Sequence, residues 1–258
     1  MTEALNDELA FAHELADLAD RITTEAFGRH HPGNAQTKPD GTWVTAADRE
    51  VERSLRAAIG LRFPEHAVLG EEDGLSGPPD AATWVLDPID GTSNFVRGNP
   101  IWATLIGLRV AGRDVLGVVS APVLGHRWSG VMGRGAWCDG APIQVSGVAD
   151  LAQAEVSFGD LDRWRSQGRW DAAERLIDAT QRVRSYGDFW AHCLVASGST
   201  ELAAEAAVSA WDLVAVRALV VAAGGSATDL DGVDTADSGH VLTSNGHVHA
   251  AALALVTG

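Results

Sequence analysis

The stretch WVLDPIDGTSNF, residues 84–95, decides how this chain is read. An apolar run with the character of a buried strand ends in Asp87-Pro88-Ile89-Asp90-Gly91-Thr92. With Pro88 and Gly91 to bend the chain, Asp87 and Asp90 can turn toward one point, and Ile89 can offer its backbone carbonyl to the same point. Hard divalent cations take such a set of oxygens. Gly91 and Thr92 then open a helix whose free N–H groups and positive dipole end suit a phosphate. The competing reading is a turn in which an aspartate caps the helix, and this stretch alone leaves both open.

Three other segments carry carboxylates at element ends. VLGEEDG closes a short strand on Glu71 and Glu72, which alone reads as an exposed acidic turn. SAWDLVAVRALVVAAGG opens a strongly apolar helix with Asp212 in its first turn, and Ser209 three residues earlier has the spacing of a capping box. Thr45-Ala46-Ala47-Asp48 begins another helix with the same spacing and the same competing explanation.

Working outward, apolar residues recur at helical spacing from Leu5 to about Phe27, and Gly28 ends that helix. HHPGNAQTKPDGTW reads as a polar loop, and TAADREVERSLRAAIGLRF as a second helix closed by Pro64. AVLG, TWVLD, WATLIGLRV, VLGVVSAPV, RWSGVM and GAWC follow as short strands with several antiparallel connections. After about Asp150 the order becomes strand, helix, strand, helix, which favours a sheet covered by helices on both faces. In that half DRWRSQGRWDAAERLIDAT is expected as one helix. The chain therefore divides into residues 1–150, an α+β half holding most of the acidic motifs, and residues 151–258, an α/β half that closes the site. No Pro- or Ser-rich linker separates them, so they are expected to share one interface.

The 258 residues carry a formal net charge of −16, which argues against a nucleic-acid partner. Such charge would also repel a phosphorylated ligand unless some carboxylates gather cations that reverse the local sign. No apolar run approaches the roughly 20 residues that cross a bilayer. The first residues lack a basic leader region, so a cytoplasmic protein without a membrane partner is expected. Cys138 and Cys193 lack the spacing of a metal or redox pair and are expected as reduced thiols. His30, His31, His240, His247 and His249 are read as structural or solvated.

Together, VTAAD at 44–48, GEE at 70–72, DPIDGTSNF at 87–95 and WD at 211–212 followed by an apolar helix and Gly224-Gly225 resemble the inositol monophosphatase family, over nearly the whole chain. The resemblance implies a layered αβαβα sandwich, α/β in class, and a homodimer. It implies that Glu71, Asp87, the Ile89 carbonyl, Asp90 and Asp212 hold about two to three Mg²⁺ ions, and that Thr92, helped by Asp48 and with Glu71 beside it, orients the attacking water. Lys38 lies where the family has a mobile flap, against which stands the reading of a solvated loop lysine.

FVRGNPIWATLIGL at 95–108 and RVRSYGDFWAHCLVASG at 182–198 are similar to the histidinol-phosphate phosphatases within that superfamily. This likeness implies substrate contacts from Gly91, Thr92, Asn94, Arg184, Asp188 and Glu205. Histidinol phosphate carries an ammonium and an imidazole, both favoured by carboxylates such as Asp188 and Glu205, whereas neutral inositol hydroxyls gain less. Asp188 also reads as a helix N-cap. Asn94, Arg97 and Trp102 flank the acidic motif, where an aromatic ring could stack on the imidazole, although with nine tryptophans in the chain a core role is the commoner reading for any one of them. The alternatives are an inositol-1-phosphate or broad sugar-phosphate phosphatase, a phosphatase of bisphosphorylated nucleotides or sugars, which would need a further basic cluster, and a non-catalytic metal-binding regulator of the same fold.

Overall fold

The computed structural model describes residues 5–28, 35–38 and 43–257; His30 and His31 lie outside the described residues. Helices α1 (Asn6–Gly28) and α2 (Ala46–Arg62) pair and cover one face of an eight-stranded sheet. Their apolar stripes supply Phe11, Leu15, Val51, Leu55 and Ile59 to a core shared with Trp84, Leu86, Ile106 and Val118 of the sheet. The expected polar loop between these helices contains a two-stranded ribbon, β1 (Ala35–Thr37) antiparallel to β2 (Trp43–Thr45).

The large sheet comprises β3 (Ala67–Gly70), β4 (Gly74–Ser76), β5 (Thr83–Asp90), β6 (Ala103–Val110), β7 (Arg113–Ala121), β8 (His126–Val131), β9 (Gly135–Cys138) and β10 (Ala141–Ile143). Its order is β10-β9-β8-β7-β6-β5-β3-β4, and β3 with β5 is its parallel pair. A two-residue turn at Ala111-Gly112, both at positive φ, joins β6 to β7, the geometry that matches strand twist.

The second sheet is built from β11 (Glu155–Phe158), β12 (Arg182–Arg184), β13 (Leu202–Glu205), β14 (Ser226–Thr228) and β15 (Val241–Ser244), in the order β12-β11-β13-β15-β14. Helices α4 (Leu161–Ser166), α5 (Trp170–Ala179) and α8 (His249–Thr257) share a core with its outer face. The single helix expected over 162–180 is thus two. Gly168, at φ 68°, accepts the left-handed position that ends α4, and Arg169 N–H donates to the Trp164 carbonyl at 2.8 Å.

Between the sheets lie α6 (Asp188–Ala196) and α7 (Ala210–Ala222), so the layers run helix, sheet, helix, sheet, helix. Although α7 belongs to the second half of the chain, it packs on β5 to β8 of the first sheet. Gly107, Gly117 and Gly130 stand side by side across β6, β7 and β8 and form the bed for it. A Cβ on Gly117 would lie 2.0 Å from the Ala215 carbonyl oxygen, and one on Gly107 2.6 Å from Val214 Cγ1. The three missing side chains let the α7 backbone sit against the sheet, which carries Asp212 to the end of β5. Short α3 (Thr92–Val96) leads away from the same end. No described helix is long and apolar enough to cross a membrane.

Candidate active site

In a regular strand, residues three apart face opposite sides of the sheet. Asp87 and Asp90 escape this because β5 bulges between them: Asp87 opposes Leu105 and Asp90 opposes Ala103, so four residues face three. The extra residue flips the alternation, and both carboxylates arrive on one side. Pro88 is tolerated there because a bulge residue donates no ladder bond, and its carbonyl accepts from Thr104 Oγ1 at 2.8 Å. Carboxylate oxygens of Asp87, Asp90 and Asp212 all lie within 4.8 Å of one another.

Each of the three is oriented by a backbone amide. Asp87 Oδ1 accepts from Ile89 N at 3.0 Å, Asp90 Oδ2 from Phe189 N at 2.6 Å, and Asp212 Oδ2 from Ser209 N at 2.7 Å. Among the described residues, no Lys or Arg pairs with any of them. Burial, followed by the charges of Glu71 and Asp90, pushes Asp87 well above the usual carboxylate range. Burial, followed by Asp188 and Asp212, does the same to Asp90, and burial raises Asp212 to about 6. In two other clusters of potential ligands among the described residues, Asp231, near Asp229 and His240, pairs with Arg169 at 3.2 Å, and Asp139, near Cys138, contacts His126 at 2.7 Å.

A second group adjoins the first. Asp48, Glu71 and Glu72 place carboxylate oxygens within 4.8 Å of one another. Asp48 Oδ2 accepts from Thr45 N at 2.8 Å and Thr45 Oγ1 at 2.6 Å, so the capping box is real. Capping uses one oxygen only; Asp48 Oδ1 is buried without a partner. Burial raises Asp48 to about 7, with Glu71 and Glu72 adding to the shift. Lys38 is not a solvated loop lysine: its ammonium bridges Glu71 at 2.7 Å and Glu72 at 2.6 Å. Burial works against that charge, but the two carboxylates hold it above the usual lysine range.

Glu52, which motif reading overlooks, builds the Glu71 turn. Fully buried on α2, it accepts from Glu72 N at 2.8 Å and Asp73 N at 2.9 Å and pairs with Arg56 at 2.7 Å. Gly70 makes room, since a Cβ there would fall 2.3 Å from Glu52 Oε1. The sequence signal is two acids, Asp48 and Glu52, on the buried stripe of an amphipathic helix.

A cleft of about 860 Å³ opens from these carboxylates between the two sheets. Glu71, Asp87, Ile89, Asp90, Gly91, Thr92, Asn94, Asp188, Glu205 and Asp212 all line it. Thr92 Oγ1 donates to the Ile89 carbonyl at 2.8 Å. Gly91 stands at φ 79°, where a side chain would be strained and would approach the Ile101 carbonyl to 3.0 Å. Asp188 is not the cap of α6: Gly187 holds that position, and Asp188 faces Asn94 Nδ2 at 3.4 Å. At φ 49° Asp188 is itself in a strained conformation. Burial, then the charge of Glu205, raises it to about 7.

Two residues of the sequence reading are placed elsewhere. Arg184 is outside the cleft lining, with its guanidinium returning to the Val183 carbonyl at 3.0 Å. Trp102 is fully buried against Phe95 and Phe27, so it is a core ring and does not face a ligand. The aromatic walls of the cleft are Trp43, Tyr186 and Trp211. Arg163 and His192, which motif reading did not single out, also line it.

The donors that converge here are hard oxygens, Asp87, Asp90 and Asp212 have no Lys or Arg partner among the described residues, and Asp48 Oδ1 has no protein partner. This set fits oxygen-seeking divalent cations. Residues 5–257 match the model of the inositol monophosphatase family. The chain is 46% identical over 249 residues to the histidinol-phosphatase of Mycobacterium tuberculosis, covering 95% of each, and 42% identical to that of Streptomyces coelicolor, covering 94% of each. Among solved structures, the inositol monophosphatase from Anabaena superposes with a TM-score of 0.85 at 29% identity, covering 98% of this chain and 96% of that one.

Proposed function

This chain belongs to the inositol monophosphatase family, and from that premise we propose that it is a Mg²⁺-dependent phosphatase of L-histidinol phosphate, releasing L-histidinol and phosphate in histidine biosynthesis. That it is a phosphoric monoester hydrolase follows from the family and its histidinol-phosphatase relatives. The narrower substrate rests on one observation: the cleft is acidic twice over, at the Asp87, Asp90 and Asp212 cluster and again at Asp188 and Glu205. The first set suits cations that attract phosphate. The second suits an alcohol portion that is itself cationic.

Glu71, Asp87, the Ile89 carbonyl, Asp90 and Asp212 would hold the cations. When bound, Mg²⁺ supplies positive charge for the phosphate and leaving oxygens and water of lowered pKa. The protein's own part is positioning. Asp90 is held by the Phe189 amide and Asp212 by the Ser209 amide, so neither carboxylate must reorganise as the substrate enters. Thr92, whose hydroxyl bonds the Ile89 carbonyl, and Asp48, with one oxygen anchored and the other unpartnered, would align a nucleophilic water and hold its proton, on the family resemblance. Asp188 and Glu205 face the ammonium and imidazole. A homodimer completes the proposal, on the same family resemblance.

The test is phosphate release with Mg²⁺ from L-histidinol phosphate and inositol-1-phosphate, side by side, for wild type and Asp188→Ala. The proposal expects a large preference for histidinol phosphate that shrinks in the variant. Equal rates in the wild type, or a preference for inositol-1-phosphate, would refute the substrate while leaving phosphatase chemistry standing.

A further inference from the structure

Glu205 is the deeper of the two carboxylates on the substrate wall, and its surroundings are organised. Register places Ala203 opposite Thr243 and Glu205 opposite Val241, so the Glu205 and Thr243 side chains leave β13 and β15 on the same face, toward α6. There they meet His192, which lies one turn after Asp188 on α6 and is 1% exposed. His192 Nδ1 lies 2.8 Å from Thr243 Oγ1, and His192 Nε2 lies 3.3 Å from Glu205 Oε1. The second contact is close in distance but off in angle, and Nε2 and Oε1 are both buried without any other partner. The other oxygen, Glu205 Oε2, lies over the bare α-carbon of Gly159, where a Cβ would be 2.7 Å away, and both residues line the cleft.

An ionised carboxylate only accepts, so the contact with Glu205 requires the hydrogen on Nε2; in the neutral imidazole Nδ1 is then the acceptor and the Thr243 hydroxyl donates to it. Oε1 is thereby held from behind, and Oε2 is left to face the ligand as a charged acceptor. We propose that His192 and Thr243 are positioning residues that hold the Glu205 carboxylate toward the cleft and so select phosphate esters whose alcohol portion carries a cation. This rests on the substrate reading above and extends it to the two residues packed behind that carboxylate, His192 at the cleft's edge and Thr243 beneath it.

The experiment uses full-length enzyme with Mg²⁺ and steady-state kinetics on L-histidinol phosphate and on neutral glycerol 2-phosphate. His192→Phe keeps the bulk of the ring and removes the donor. It should raise KM for histidinol phosphate on the order of tenfold or more, as expected for a lost hydrogen bond to a charged group. Its kcat, its Mg²⁺ activation constant and its KM for glycerol 2-phosphate should change by less than about threefold. His192→Gln, whose amide can replace Nε2–H, should recover most of the loss, and Thr243→Val should show a smaller loss of the same kind. Adding His192→Phe to Glu205→Gln should cost nothing further, because both act on one interaction.

Equal KM increases on both substrates, or failure of His192→Gln to recover, would make His192 a packing residue and overturn the inference. Should His192→Phe not fold, Thr243→Val against Thr243→Ser decides by the same KM contrast. A wild type with no preference for histidinol phosphate refutes the substrate reading and this inference together. A wild type with that preference, retained in His192→Phe, refutes this inference alone.

Discussion

Replacing Gly117 by Ala should damage the acidic site through the seating of α7, without touching any residue that lines the cleft. The added methyl would stand 2.0 Å from the Ala215 carbonyl oxygen and 2.8 Å from Ala215 Cα, whereas real Cβ atoms essentially never come within 3.0 Å. The α7 backbone must therefore retreat by at least about 1 Å, and no flexible side chain is present to absorb the shift. Overpacking against rigid backbone belongs at the upper end of its usual range, about 3 kcal/mol, or a fall in melting temperature of roughly 6–12 °C for a chain of this size. Asp212 lies three residues from Ala215 on the same helix and must move with it. Misplacement by about 1 Å is enough to cost on the order of a hundredfold in turnover. The assay is thermal unfolding by circular dichroism together with kcat and the Mg²⁺ activation constant, with Gly60→Ala as control. Gly60 is exposed in α2 with nothing within 4 Å of its missing Cβ, so that change should raise stability by about 0.5–1 kcal/mol. A Gly117→Ala enzyme with unchanged melting temperature and unchanged Mg²⁺ activation would refute the account of how α7 is seated.

Asp90→Asn should abolish Mg²⁺-dependent turnover while leaving a folded protein, and in EDTA it should melt no lower than wild type because a buried charge among like charges is gone; an active variant that still requires metal would remove the core of the site assignment. The pH dependence of the metal-free protein follows from Asp212, raised to about 6, and Asp48 and Asp188, each raised to about 7. Their folded forms bind protons more tightly than the unfolded chain, so stability is greatest below about pH 4 for these groups and falls as pH rises toward 7. Melting in EDTA should accordingly be lower at pH 8 than at pH 5, and added Mg²⁺ should close most of that gap; a gap of the opposite sign would contradict the burial argument. Glu52→Gln breaks the pair with Arg56 beneath the Glu71 turn and should cost about 3–5 kcal/mol, with weaker Mg²⁺ activation, measured by denaturant unfolding and metal titration of activity.

Much of the site was legible because its signals are local. The Asp-Pro-x-Asp-Gly run announces a bend with two carboxylates, and the structure supplies its mechanism: a bulge that reverses strand alternation between Asp87 and Asp90. The two capping boxes were also read correctly as caps, and they proved compatible with the site because capping occupies one carboxylate oxygen. Local reading left alternatives open where a residue's role depends on what packs against it. Trp102 beside the acidic motif could stack on a ligand or sit in the core, and Phe27, from a helix remote in sequence, makes it core.

What the amino-acid order determined by itself is the identity of the chemistry: oxygen donors at element ends, turn residues to expose them, and a strongly acidic balance that calls for cations before an anion can approach. It also determined the main elements, since the periods of α1, α2 and the strands of the first sheet are set by neighbours within a few residues. What only the tertiary structure decided is which side chains support those donors. Glu52 reaches the Glu71 turn across 20 residues of chain, His192 meets Thr243 across 51, and Lys38 meets Glu71 across 33. Such partners are chosen by the burial of two sheets and the helices between them, through a bed of glycines that lets α7 lie against the first sheet. Packing of that kind acts between surfaces, leaves no periodicity in the sequence, and becomes visible only when the layers are assembled.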